Sequence, residues 1–138
     1  MIILDTNVLS ELMKTKPDPS VVRWIEEHKA IDLFITTLTQ AEILYGLEIL
    51  SLGKRRTSLI AAATSMFELD FAERILPFDI DAAQIFATIA AKRRAIGRPI
   101  SQIDAQIAAI AFHHDATLAT RNIKDFEECD LNLIDPWK

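Results

Sequence analysis

A single cysteine, Cys129, leaves this chain unable to form an intrachain disulfide, so its stability must come from packing, and a reducing cytoplasm is the expected compartment. Glycine is nearly as scarce. Three glycines in 138 residues leave little room for a Gly-rich phosphate loop. No apolar run approaches the ~20 residues needed to cross a bilayer. The opening MIILDTN is too short and too soon acidic to read as a signal peptide, so no membrane association is expected. Positive charge is also in deficit. A formal net charge of −5 argues against a protein that grips nucleic acid by broad phosphate neutralisation, although an acidic pocket that holds cations stays open. Such a pocket would suit a positively charged partner when metal is absent.

What is present is ordinary for a globular chain: 50% of residues are apolar and 25% charged, with no low-complexity tract, internal repeat or linker. The length fits one domain able to bury about two thirds of its unfolded surface. Short apolar runs ending in polar turns predict strands at MIILD, DLFIT (32–36), RILPFD (74–79), ATLAT (116–120) and 131–134. Pro77 pushes the third toward a sheet edge. Between them lie helical patterns. One follows Asp5, with Thr6 or Asn7 as its cap. A second has Asp18 as cap and Pro19 at its first position. A third carries Glu42 behind a Thr39 cap, and a fourth starts at Lys54, with Gly53 ending the one before it. A fifth spans 81–96, with Ala83, Ile85, Phe86, Ile89 and Ala90 as core candidates. The sixth opens in SQID, with Ile103, Ile107, Ile110 and Ala111 on one face. RNIKDF (121–126) reads as a loop. Alternation of strands and helices predicts an α/β sandwich around a mainly parallel sheet.

In such folds ligands bind beyond the carboxyl ends of the strands, which sorts the acids. Asp5 ends the first strand. Glu42 lies early in the helix after the second, and Asp104 lies just inside the helix before ATLAT. Each has an ordinary structural role available: Asp5 as a helix cap, Glu42 as the capping-box partner of Thr39, and Asp104 as a charge favouring a helix N-terminus. Taken together they predict three carboxylates at one mouth, whose mutual repulsion a divalent cation would remove. An oxygen-only donor set without Cys or His points to Mg²⁺ or Mn²⁺ rather than zinc, and to phosphodiester chemistry.

Other candidates carry less. His28, His113 and His114 lack ligand spacing and read as solvated surface, with the adjacent pair expected on different faces. Ser10 and Ser101 have no evident histidine base. Lys54-Arg55-Arg56 and Lys92-Arg93-Arg94, with Arg98, are basic clusters that solvated helix faces and RNA or partner contact explain equally well.

In LDTNVLSE, TTLTQAEILYGL around Glu42, ILPFD, ISQIDAQIAAIA around Asp104, ATRNIKDF and the closing NLIDPW, the chain resembles PIN-domain ribonucleases of the VapC type, especially the FitB-like branch. The likeness runs in order over nearly the whole chain. It implies a single PIN domain over 1–138, a three-layer sandwich with a central sheet of four to five strands flanked by helices, and a homodimer. It also implies Mg²⁺- or Mn²⁺-dependent endoribonuclease activity and the toxin role in a type II toxin–antitoxin system. The partner would be a VapB/FitA-like antitoxin that also binds operator DNA, and one of its basic side chains would enter the acidic pocket. Asp5, Glu42 and Asp104 match the family's most constant acids. The fourth family acid falls on Asn122, which keeps a neutral oxygen but loses a charge, leaving Asp125 as an alternative for that role. Thr120 and Asn7 match polar positions that orient the ligands. Asn122 is also the feature that favours the competing reading, a degenerate PIN domain that binds RNA or protein without cutting. A dehalogenase-like phosphatase would want an acid where Asn7 stands, and a response-regulator receiver a lysine where Arg121 stands.

Overall fold

Five short strands set the frame of the computed structural model, which describes residues 1–138. They are β1 (Ile2–Leu4), β2 (Leu33–Thr36), β3 (Ile75–Leu76), β4 (Thr117–Ala119) and β5 (Asn132–Ile134). Every pairing is parallel, in the order β3-β2-β1-β4-β5. The sheet has five strands and is wholly parallel, within the four to five expected from sequence. β3 lies at the edge, where Pro77 just beyond it interrupts no ladder.

Six helices cover the sheet: α1 (Thr6–Leu12), α2 (Pro19–Glu26), α3 (Thr37–Glu48), α4 (Lys54–Ser65), α5 (Ile80–Ala95) and α6 (Gln102–His113). Alternation along the strands assigns the two faces. Ile3 and Leu118 pack with Ile89, Ile107 and Ile110 of α5 and α6. Leu4 and Ala119 point the other way, into a core with Leu9, Val21, Ile43 and Ala63 from α1 to α4. Each fully buried Ile or Leu contributes about 1.5–3 kcal/mol relative to exposure. This fixes the register, since a one-residue slip would exchange the faces.

Several boundaries differ from expectation. Asp5, not Thr6 or Asn7, caps α1. Gly53 precedes α4 as its N-cap with φ 151°, while α3 ends earlier, at Ile49. On α5 Ala82 is buried and Ala83 exposed, while Ile85, Phe86, Ile89 and Ala90 turn inward as expected. Ile103 is exposed at 39%. RNIKDF contains a 3-10 turn (Ile123–Phe126) whose Phe126 is buried. As anticipated, Asp18 caps α2 with Pro19 first in the helix, and Gly97, at φ 75°, follows the end of α5. No helix is long and apolar enough to cross a membrane.

The strand order places the site. From β1 the chain builds toward β2 and β3, then returns to the other side of β1 with β4 and β5. The crevice beyond the carboxyl ends of β1 and β4 is the point where the winding direction switches.

Candidate active site

Two residues mark that crevice. Asp5 N–H donates to the Ala119 carbonyl at 2.9 Å and Thr120 N–H to the Ile134 carbonyl at 2.9 Å, so both stand one step past the paired strands. Their side chains meet there. Thr120 Oγ1 donates to Asp5 Oδ2 at 2.8 Å, and Asn7 Nδ2 approaches the same oxygen at 3.2 Å. Asp5 Oδ1 accepts the Thr6 N–H at 2.9 Å. The capping role is therefore real, and Asp5 also lines the cleft. Its residue is only 5% exposed. Burial pushes its carboxyl up to about 6; the bonds from Thr120 and Thr6 oppose the rise, while Asp104 and Glu42 add to it by charge repulsion.

Glu42 arrives differently from the sequence expectation. β2 runs into α3 with no loop between, so the first hydroxyl of TTLT takes the cap: Thr36 Oγ1 accepts the Thr39 N–H at 3.2 Å. Glu42 therefore lies in the second helical turn and is no capping-box partner. Thr39 and Glu42, three residues apart, share one helix face and one partner. Thr6 Oγ1 donates to Glu42 Oε1 at 2.6 Å and lies 2.9 Å from the Thr39 hydroxyl.

Asp104 sits half-buried in the first turn of α6, its N–H bonded to the Ser101 cap at 3.2 Å. Burial raises its carboxyl. The Ser101 bond opposes that rise, and the neighbouring Asp125 and Glu42 carboxylates reinforce it. Asn122 is exposed and caps the turn after β4 without a side-chain bond, so its amide is free toward the cleft. Asp5, Asn7, Glu42, Asp104 and Asn122 line one cleft of about 460 Å³. Asp125 instead lines an adjoining depression, which Asn122 shares, and Thr120 stands behind the wall as Asp5's hydrogen-bond donor. An all-oxygen donor set in which burial and like charge already strain two carboxyls can hold a hard divalent cation.

The sequence reading overlooked the opposite wall. Glu11, only 6% exposed, accepts Lys14 Nζ at 2.9 Å and the Asp18 N–H at 3.0 Å, and these contacts, Lys14 first, hold its carboxyl below the usual range. The Arg121 guanidinium sits over the Trp137 ring, 4.9 Å from its centroid, and the Arg121 backbone N–H donates to Asn7 Oδ1 at 3.3 Å. Lys14, Arg121 and Trp137 all line the cleft. One signal was available: Asn7, Ser10 and Glu11 fall at helical i, i+3 and i+4 along α1, and Lys14, at i+7, continues that polar stripe just past its end.

Elsewhere the basic clusters divide. Arg93 is buried, its guanidinium donating to the carbonyls of Arg98 (2.7 Å), Asp125 (2.8 Å) and Glu127 (3.0 Å), so it is a structural tie and not a surface contact. Arg56 faces Glu48 at 3.5 Å. His113 and His114 do not diverge: their rings lie 4.9 Å apart, edge to face, because His114 has left the helix as its cap. His113 also gathers with Asp79 and Asp81, their ligand atoms within 4.8 Å and all exposed, away from the cleft.

Known proteins share this fold. The PIN domain family model matches residues 2–130. The chain is 39% identical to "VapC ribonuclease Y4jK" of Sinorhizobium fredii, across 100% of this chain and 99% of that protein. It is 36% identical to "Toxin FitB" of Neisseria gonorrhoeae, across 99% of both. The solved structure of FitAB bound to the IR36 DNA fragment superposes with a TM-score of 0.95 at 36% identity, covering 100% of this chain and 96% of that one.

Proposed function

The chain belongs to the PIN-domain family, in its VapC-type branch beside FitB, and from that premise we propose that it is a metal-dependent endoribonuclease acting as the toxin of a type II toxin–antitoxin pair. The observation that carries this reading is the convergence of Asp5, Glu42 and Asp104 on one cleft at the switch point of a parallel sheet. The whole chain, 1–138, acts as one PIN domain.

Asp5, Glu42 and Asp104 would hold Mg²⁺ or Mn²⁺, with the Asn122 amide oxygen as a neutral fourth contact. When bound, the ion supplies Lewis acidity toward the scissile phosphate and relieves the repulsion among the carboxylates. The chain's own groups do the rest. Thr120 and Asn7 orient Asp5, and Thr6 fixes Glu42 through its 2.6 Å bond, aiming that carboxylate to accept a proton from the attacking water. Water adds to phosphorus as Glu42 takes its proton, the bridging P–O bond breaks, and the leaving oxygen takes up a proton from solvent, so the strand is cut without a covalent enzyme intermediate.

FitB was solved with FitA on DNA, and by analogy this chain works as a homodimer held by an antitoxin of the VapB/FitA kind that binds operator DNA. The acidic cleft suits a basic antitoxin side chain. A PIN domain that binds RNA or protein without cutting is the second reading, favoured by the missing charge at Asn122.

Purified chain freed of antitoxin decides between them. Cleavage of RNA in Mg²⁺ or Mn²⁺, its loss in EDTA, and its loss in Asp104→Asn are the expected results. RNA bound but uncut under all three conditions would favour the binding module.

A further inference from the structure

The cations beside the carboxylates have no part in the chemistry above, and their placement carries a separate meaning. Lys14 and Arg121 line the same cleft as the three acids, yet neither is paired to them. Lys14 is tied to buried Glu11 at 2.9 Å. Arg121 sits over the Trp137 ring and makes no ion pair, which leaves its donors free. A second depression of about 630 Å³ opens beside the cleft, between α1, α3 and α4. It shares Thr6, Ser10, Lys14 and Glu42 with the cleft.

Into that groove α4 brings Arg55, exposed and unpaired, unlike the adjacent Arg56. Ile43 and Leu47 contribute to an apolar floor. Arg121, Lys14 and Arg55 thus form a succession: the first in the cleft, the second in both spaces, the third in the groove. The groove alone carries two cations, Lys14 and Arg55, against one acid, Glu42, so beside the acidic cleft it runs against the chain's net charge of −5. Cations set apart from the metal ligands are suited to phosphates that flank the reacting one, where they position a strand without touching the bond to be cut.

From this geometry we infer that the RNA strand leaves the carboxylate cleft along α1 and enters the α1–α3–α4 groove, with Arg121, Lys14 and Arg55 contacting successive backbone phosphates and the apolar floor taking ribose and base faces. The inference rests on the ribonuclease reading and adds the path of the substrate to it. Glu11 is a positioning residue in this scheme, because its buried carboxylate holds Lys14 at the junction of the two spaces.

Steady-state cleavage of a 5′-labelled, mixed-sequence, single-stranded oligoribonucleotide in Mn²⁺ tests the path. Arg121→Ala and Lys14→Ala should each raise KM roughly three- to tenfold, Arg55→Ala roughly two- to threefold, with kcat little changed. Each should also flatten the dependence of log(kcat/KM) on log salt by about 0.7, the share of one phosphate contact on a single strand. Arg121→Lys should recover the salt slope, and Arg94→Ala on α5, which lines neither space, should match the wild type. If the wild type cuts while Arg121→Ala and Lys14→Ala keep its KM and salt slope, the path is wrong, even should both variants weaken antitoxin binding. A loss confined to kcat would overturn it equally. A wild type that cuts no RNA strikes the ribonuclease reading itself, which keeps the two failures apart.

Discussion

Two groups of three ionisable side chains gather on this chain, and they share little beyond number. Asp79, Asp81 and His113 bring their ligand atoms within 4.8 Å of one another, but all three are exposed. Their closest ion pair, His113 to Asp81, spans 3.8 Å with the Asp81 side chain 69% exposed. Water screens such a group, so proximity alone has small energetic consequence. Asp5, Glu42 and Asp104 are instead mounted on a strand end and two helices, and burial is the first cause of the raised carboxyls at both Asp5 and Asp104. Desolvation therefore separates the two groups, the tighter one exposed and the other partly buried.

The largest effect that sharpens this contrast is on cleavage. Asp5→Asn should lower the RNA cleavage rate by roughly 10²–10⁴-fold, while far-ultraviolet circular dichroism stays that of the wild type. Asp81→Asn should cut normally. Cleavage retained in Asp5→Asn would erase the distinction between the two groups.

Next comes pH. Burial raises the Asp5 carboxyl from its ordinary 3.8 to about 6, so between those values the folded state holds a proton that the unfolded chain releases. Its contribution therefore destabilises the metal-free fold as pH rises through that window, reaching about 3 kcal/mol near pH 7 and absent below pH ~4. Urea unfolding in EDTA, wild type against Asp5→Asn, isolates that slope. A constant difference between the two from pH 4 to 7 would show that burial does not tune this carboxyl.

Smaller still is the fourth ligand. Asn122→Asp adds a fourth carboxylate to the cleft lining and should tighten Mn²⁺ binding roughly tenfold, read as a thermal-shift titration. Unchanged affinity would remove position 122 from the metal's surroundings. At the bottom, Asp81→Asn and His113→Ala should each alter stability by about 0.5 kcal/mol or less. A larger loss in chemical denaturation would mean the exposed group does more than pair loosely.

Much of this was legible in the residues. MIILD, DLFIT and ATLAT announced strands because short apolar runs closing on polar residues have few other uses, and all three are strands. Asp5 was readable because a carboxylate ending a strand marks the crevice. Glu42 was placed one turn too early, since TTLT offers several hydroxyls and only the junction with β2 selects Thr36 as the cap. Arg93 was hidden for a related reason: the Lys92-Arg93-Arg94 run does not tell which member turns inward to meet the carbonyls after β4. The cation wall escaped because Lys14, Arg121 and Trp137 are scattered over the chain, and no local spacing joins them.

The sequence alone determined the element types, the parallel α/β class and the place of the three acids, Asp5 just past a strand's carboxyl end and Glu42 and Asp104 toward helix N-termini, because each depends on periodicity and position along one segment. Tertiary structure decided the rest. It set Thr120 and Thr6 as the groups that hold Asp5 and Glu42, left Asp125 in the neighbouring depression, and aligned Arg121, Lys14 and Arg55 along one route. The physical reason is that desolvation and hydrogen bonding act between segments more than a hundred residues apart, as from Asp5 to Thr120, and their strength is set only once the sheet has brought those ends together.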